Sequence, residues 1–210
     1  MGIKERKARE KENRRQEIMK SAQEVFREKG LSSTTIEDIA NKSELSPATI
    51  YIYFKNKEEL YAFLNIKTVQ FLFDEIEKIY NNEKIRPEEK ILELKNAFYS
   101  AYDRDPVIIK NILRLQLEDT LSKISPELLV EINTPTKNAM VMISKIYKEG
   151  VRKGVFKKIK GIAIADTIWG LYTGLMLYEG AKKTINPEKD FFKITLDIAF
   201  DVLCRGIKKN

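Results

Sequence analysis

Twelve consecutive residues, Ser46 to Lys57, hold most of the side chains in this chain whose types and spacing suit recognition of a duplex nucleic acid. Pro47, Ala48 and Thr49 are small, so a helix end that carries them can approach base edges closely. A threonine hydroxyl at that position can hydrogen-bond a base, and its methyl can pack on a thymine methyl. The phenols of Tyr51 and Tyr53 can donate to phosphate oxygens. Lys55 and Lys57 follow at a helix N-terminus, where backbone N–H groups already attract anions. The plainer alternative is that the two tyrosines are half-buried packing residues and Lys55 a solvated lysine.

Positioning such a segment requires helices around it. Ile18, Ala22, Val25 and Phe26 recur at helical spacing, which predicts an amphipathic helix from about Arg14 to Lys29, with Gly30 as its left-handed cap. The charged stretch before Arg14 reads as a flexible arm or a frayed first turn. Ser33, Thr34 and Thr35 offer N-cap hydroxyls to a short helix that turns Ile36, Ile39 and Ala40 inward. Glu37 and Asp38 stand in its first turn, Asp38 three residues after Thr35. That helix stops near Ser43. Ser46 then caps another, with Pro47 at the first position, where a missing N–H costs nothing, and with Ile50 and Phe54 inward. Two helices this short bury little area and need the 14–29 helix behind them, which predicts a helix-turn-helix between Thr34 and Phe54.

Beyond it, Asn56 caps a helix beginning at Lys57 and reaching about Asn81. Further helices open at Arg86-Pro87, Asp105-Pro106 (Ile109, Ile112, Leu113 and Leu117) and Ser125-Pro126, the last running to Gly150 past a possible kink at Pro135. Two more, about Ile162–Lys183 and Pro187–Ile207, close an all-α chain of about nine helices.

Composition narrows the function. The 210 residues carry a formal charge of +7, and residues 1–20 hold eight Lys/Arg against four Glu, a local excess of +4. Such a patch suits phosphates, anionic lipid or an acidic partner. There is no histidine and only Cys204, so imidazole catalysis and an intrachain disulfide are excluded, and a reducing cytoplasm is expected. No metal-ligand spacing or phosphate loop suggests an enzyme, and no cofactor is expected. The apolar run from Thr167 to Tyr178 is 12 residues between Asp166 and Glu179, too short for a membrane span of roughly 20.

Gly30-Leu31, Ser33-Thr34-Thr35-Ile36, Ile39-Ala40, Ser46 through Phe54, Asn56-Lys57 and Leu60 together resemble the N-terminal signature of the TetR family over about residues 14–64. The resemblance implies DNA contacts at Thr35, Pro47, Ala48, Thr49, Tyr51, Tyr53 and Lys57; Ser46 and Lys55 join them from the residue pattern alone. Two positions depart from the family pattern. Glu44 stands where the turn usually has glycine, and Ala48 where the recognition helix often has one.

The resemblance also implies a head at residues 1–60, comprising the arm and the DNA-binding helices. A helical effector-binding and dimerisation domain would occupy 61–210. Dimerisation would use the last two helices, where Gly170 and Gly174 permit close approach and Phe191, Ile194, Ile198 and Val202 form an apolar stripe. The alternative is that these residues complete a monomer core. A small apolar or aromatic effector would sit among Phe98, Tyr102, Leu113, Leu117, Met140, Ile143, Trp169, Tyr172 and Met176. The function expected is a homodimeric repressor released by that effector from a palindromic operator. The rival is a helical DNA-binding protein without an inducer, controlled by a protein partner.

Overall fold

The computed structural model describes residues 2–104 and 124–209. Among these are eight helices: α1 (Ile3–Ser33), α2 (Ile36–Lys42), α3 (Pro47–Tyr53), α4 (Lys57–Asn81), α5 (Pro87–Arg104), α6 (Pro126–Arg152), α7 (Gly161–Ile185) and α8 (Phe192–Ile207). The helix expected from Asp105, with Leu113 and Leu117, lies outside the described residues. The chain divides into two compact units, one built on Met1–Ile66 and Leu115–Val130 and the other on Lys67–Arg114 and Glu131–Asn210.

In the first unit α1 begins at Ile3, eleven residues earlier than its apolar spacing predicts. Exposed ion pairs support the added turns: Arg6–Glu10 at 3.3 Å, Arg14–Glu17 at 2.7 Å and Arg15–Glu12 at 3.9 Å. Gly30 takes φ 75°, as a helix end requires, and the last residues of α1 follow after that break. Thr35 caps α2 reciprocally with Asp38: the Asp38 N–H donates to Oγ1 at 3.1 Å, and the Thr35 N–H donates to the carboxylate at 3.0 Å. Ion pairs Lys29–Asp38 (2.6 Å) and Lys42–Glu24 (3.0 Å) tie α2 to α1. Ile18, Ala22, Ile39, Ala40, Ile50, Phe54 and Leu60 are buried together as the core of this unit.

The second unit buries Ile76, Ile91, Leu94, Phe98, Ile143, Tyr147, Ile168, Tyr172, Phe192 and Phe200. Its α6 passes through Pro135 without ending and runs two residues beyond Gly150; Gly154, at φ 76°, supplies the left-handed turn that follows. Gly150 serves a different purpose: a Cβ there would lie 2.2 Å from the Phe156 ring.

The last helix starts at Phe192 rather than Pro187. Two N–H groups at its start take carboxylate acceptors: Phe191 donates to Glu179 on α7 at 2.9 Å, and Phe192 to the neighbouring Asp190 at 3.0 Å. Those bonds hold 186–191 as a connection. Among the described residues one antiparallel bridge pairs Phe156 with Lys208. No helix among the described residues is long and apolar enough to cross a membrane.

The turn between α2 and α3 closes with Leu45 N–H on the Ala40 carbonyl (2.9 Å) and Glu44 N–H on that of Asn41 (3.2 Å). This C-cap geometry requires a left-handed residue, and Glu44 adopts φ 55°. Glycine would remove the Cβ–carbonyl crowding, partly offset by its greater freedom when unfolded. Glu44→Gly is therefore expected to stabilise the chain by about 0.5–1 kcal/mol, read as a higher urea midpoint at unchanged m-value. An unchanged or lower midpoint would contradict strain at this turn.

Candidate nucleic-acid interface and effector pocket

α3 is seven residues long, and its two large apolar anchors, Ile50 and its C-cap Phe54, are fully buried. Phe54 meets the Phe63 ring edge-on at 5.7 Å, and the Arg15 guanidinium covers both rings, 4.1 Å from Phe63 and 5.6 Å from Phe54. Ser46, Pro47, Ala48, Tyr51 and Ile52 face outward, Tyr51 with 55% of its surface exposed and Ile52 with 70%. Thr49 and Tyr53 are half-buried at the edge of this face. Of the residues expected to contact DNA, those from Ser46 to Tyr53 thus lie on the outward face of α3 or at its edge. Ile52 carries no signal in the sequence, because periodicity flags inward positions and is silent about an apolar residue turned to solvent.

Ser46 and Thr49 work as a pair. Ser46 Oγ accepts the Thr49 N–H at 3.2 Å, and the two hydroxyl oxygens are 2.9 Å apart. Whichever hydroxyl donates to the other, one O–H of the pair remains to point away from the helix.

Thr35 lies exposed at the start of α2. Lys55 is exposed, and its backbone N–H donates to the buried carboxylate of Glu59 at 2.6 Å. Asn56 caps α4, its Oδ1 accepting the Glu59 N–H at 2.7 Å. Lys57 is placed differently from the phosphate contact that the resemblance implies. Its ammonium donates to the carbonyls of Leu31 (3.0 Å), Ser32 (3.2 Å) and Thr34 (2.7 Å), neutralising the end of α1. It joins the first turn of α4 to the residues that precede α2.

In the second unit, four of the expected effector residues form one aromatic cluster. Phe98 stacks on Tyr172 at 4.4 Å and lies 6.4 Å from Trp169; Tyr102 stacks on Phe192 at 3.9 Å, and Phe200 closes the group 6.1 Å from Phe98. Ile143 and Met176 are buried in the same core, and Met140 packs against it half-buried. Phe192 and Phe200 also belong to this cluster, a placement that residue type alone does not signal.

Its polar edge is a triad across α5, α7 and the connection before α8. Tyr102 donates to Asp190 at 3.0 Å, and Lys183 donates to both, at 2.9 and 2.5 Å. The hydrogen bond to Asp190, with that to Tyr102, pushes the Lys183 ammonium up to about 12. Burial alone would raise the Asp190 carboxyl, but the bonds from Lys183, the Phe192 N–H and Tyr102 together hold it below the ordinary range. Burial raises the Tyr102 phenol. A lysine–aspartate ion pair thus persists at neutral pH beside an aromatic core, with a phenol between them. A separate surface pocket of about 190 Å³ between α5 and α8 contains none of the expected effector residues and is crossed by the Lys95–Asp197 ion pair at 2.6 Å.

The dimer-stripe residues do not complete a monomer core. Phe191, Ile194, Ile198 and Val202 are each about half exposed, between 46% and 60%, and Ile162, Leu177 and Tyr178 on α7 are exposed between 42% and 63%. Lys182 lies 4.9 Å from the Tyr178 ring and 5.4 Å from that of Phe191, so these faces of α7 and α8 adjoin. Gly170 and Gly174 are exposed on α7, and a Cβ on either would meet nothing within 4 Å.

Known proteins match both the head and most of the chain. The sequence profile of "Bacterial regulatory proteins, tetR family" matches residues 18–63. The fatty acid metabolism regulator protein of Bacillus subtilis is 30% identical over 152 residues, 71% of this chain and 74% of that protein. The transcriptional repressor KstR2 of Mycolicibacterium smegmatis is 25% identical over 163 residues, 75% of this chain and 77% of its own. Among solved structures, FadR from Bacillus subtilis in complex with stearoyl-CoA superposes with a TM-score of 0.68 at 22% identity, over 91% of this chain and 98% of that one. The chain belongs to the tetR family of bacterial regulatory proteins, transcriptional regulators that bind DNA through this helix-turn-helix.

Proposed function

We propose that the chain is a homodimeric repressor that reads a palindromic operator with α3 and releases it on binding a fatty acyl-CoA. The observation that carries the DNA half is the division of α3: Ile50 and Phe54 inward, the hydroxyl pair, Pro47, Ala48 and Tyr51 outward. In this reading Thr49 and Ser46 present their spare O–H to a base edge, and the small Pro47 and Ala48 let the helix end approach. Thr35, Tyr51, Tyr53 and Lys55 hold phosphates, and Lys57 fixes α4 against the head rather than touching DNA. The apolar stripe on α7 and α8 pairs with its own copy about a two-fold axis, which sets two α3 helices about 34–36 Å apart or a multiple of it.

The effector half rests on the relatives, one of them named for fatty acid metabolism and one solved with stearoyl-CoA, and on the aromatic cluster between α5, α7 and α8. An acyl chain would part the rings of Phe98, Trp169 and Tyr172, with Tyr102, Met140, Ile143 and Met176 as further walls. Because α4 is one helix from Lys57 to Asn81, displacement at its far end reaches the head, and a coupling of about 1–3 kcal/mol suffices for a switch. One observation favours a second reading. The rings stack on one another as in a filled core, which suits a regulator released by a protein partner instead.

Thr49→Val is expected to weaken binding to the preferred duplex by about 1–3 kcal/mol and to relax base preference. Tyr53→Phe should weaken it evenly across sequences. Both are read by anisotropy titration, and unchanged affinity in both would refute these contacts. Trp169 is the sole tryptophan, so stearoyl-CoA entering the cluster should shift its emission and lower DNA affinity about 5–150-fold. Emission and affinity both unmoved by stearoyl-CoA would favour release by a protein partner.

A further inference from the structure

The first turns of α1 stand apart from the rest of the head. Residues 4–14 are all exposed, so nothing in the core of this unit explains why they form a helix or what they face. Of their cations, Arg6 and Arg14 are paired with glutamates, as is Arg15 just beyond. Lys4, Lys7 and Lys11 make no ion pair among the described residues.

At about 100° per residue these three lysines fall within an arc of about 60°, and Arg14 and Arg15 extend it to about 100°. None of Glu5, Glu10, Glu12 or Glu17 lies in that arc; the acids flank it on either side. The same arc, carried further along the helix, holds Ile18, Ala22 and Val25, which are buried in the head. The lysine stripe is therefore in register with the face of α1 that packs on the other helices. Arg15, at the junction, has its guanidinium over Phe54, the residue that closes α3. The basic stripe begins beside the end of the recognition helix and extends away from it. Its eleven residues span about 16 Å, more than the ~12 Å width of a major groove.

We propose that this extension of α1 is a phosphate clamp on duplex DNA flanking the sequence read by α3, with Lys4, Lys7 and Lys11 as its contacts. The inference rests on the DNA-reading function above. Duplex phosphates are the occupant chosen because the stripe adjoins α3 and is one-signed, and because it has no bulky apolar side chain with which to enter a membrane. Binding of phosphates by lysine carries no base information. The clamp therefore lengthens the footprint and steepens the salt dependence without altering which bases are preferred.

The test is a triple variant, Lys4→Gln, Lys7→Gln and Lys11→Gln; glutamine and lysine have similar helix propensity, and circular dichroism checks that helix content is kept. Wild type and variant are titrated across a range of salt with two probes, a duplex carrying the preferred site within long flanks and one trimmed to the site. On the long duplex, the slope of log affinity against log salt should become shallower by about 3 for each protomer whose arm engages. On the trimmed duplex the slope should be unchanged, and base preference should be the same for both proteins.

An unchanged slope on the long duplex, with wild type still binding its site, overturns the clamp and leaves the DNA-reading function standing. Equal losses on both duplexes overturn it as well. So does a loss of sedimentation with phosphatidylserine vesicles that is not matched by any change in the duplex slope. A wild-type chain with no preference for any duplex refutes the DNA-reading function, and the clamp with it.

Discussion

A seven-residue helix cannot hold itself together in water, and the rest of the head follows from that constraint. α3 has two large apolar side chains to bury, Ile50 and Phe54, each contributing about 1.5–3 kcal/mol once removed from water. It must therefore be pinned at both ends. Ser46 and Pro47 set its start, Phe54 and the Arg15 guanidinium secure its close, and α1 and α2 supply the surface on which it lies. Since so little of α3 turns inward, Ser46, Pro47, Ala48, Tyr51 and Ile52 are left outward. The same economy explains the strained Glu44. A turn that must present α3 at a fixed angle tolerates a left-handed backbone there because Leu45 and Glu44 both find carbonyl acceptors.

The second unit distributes its apolar surface differently. Aromatic rings fill the space between α5, α7 and α8, and an ion pair with a phenol closes one edge. A second apolar surface, from Ile162 to Val202, remains outside. An exposed stripe of this kind on a monomer marks an interaction surface. The family's habit of pairing gives it a use. In the proposed function one unit would set where two heads stand, and the other would read bases.

Features that depend on near neighbours in sequence were legible without a structure. The Thr35–Asp38 capping box, the Ser46-Pro47 start and the Asn56 cap each involve residues three or four apart, and the inward set of Ile36, Ile39, Ala40, Ile50 and Phe54 follows from period alone. Features that depend on distant partners were not. Lys57 finds its carbonyls 23 to 26 residues earlier, and α8 begins at Phe192 because Glu179, on another helix, takes the Phe191 N–H. The early start of α1 escaped because apolar period is blind to a helix held by Arg–Glu pairs. Residue type drew attention to Phe98, Tyr102, Trp169 and Tyr172; that Phe192 and Phe200 join them depends on how α8 crosses α5.

Selection of genomic DNA fragments by the purified chain, with the mass of the bound complex measured by sedimentation, bears most directly on the central claim that paired α3 helices read bases. Recovered fragments are expected to share an inverted repeat whose half-sites are centred about one helical turn or a multiple apart, each repeat holding two protomers or a whole number of such pairs. Fragments without a common sequence, bound by single protomers at physiological salt, would contradict it.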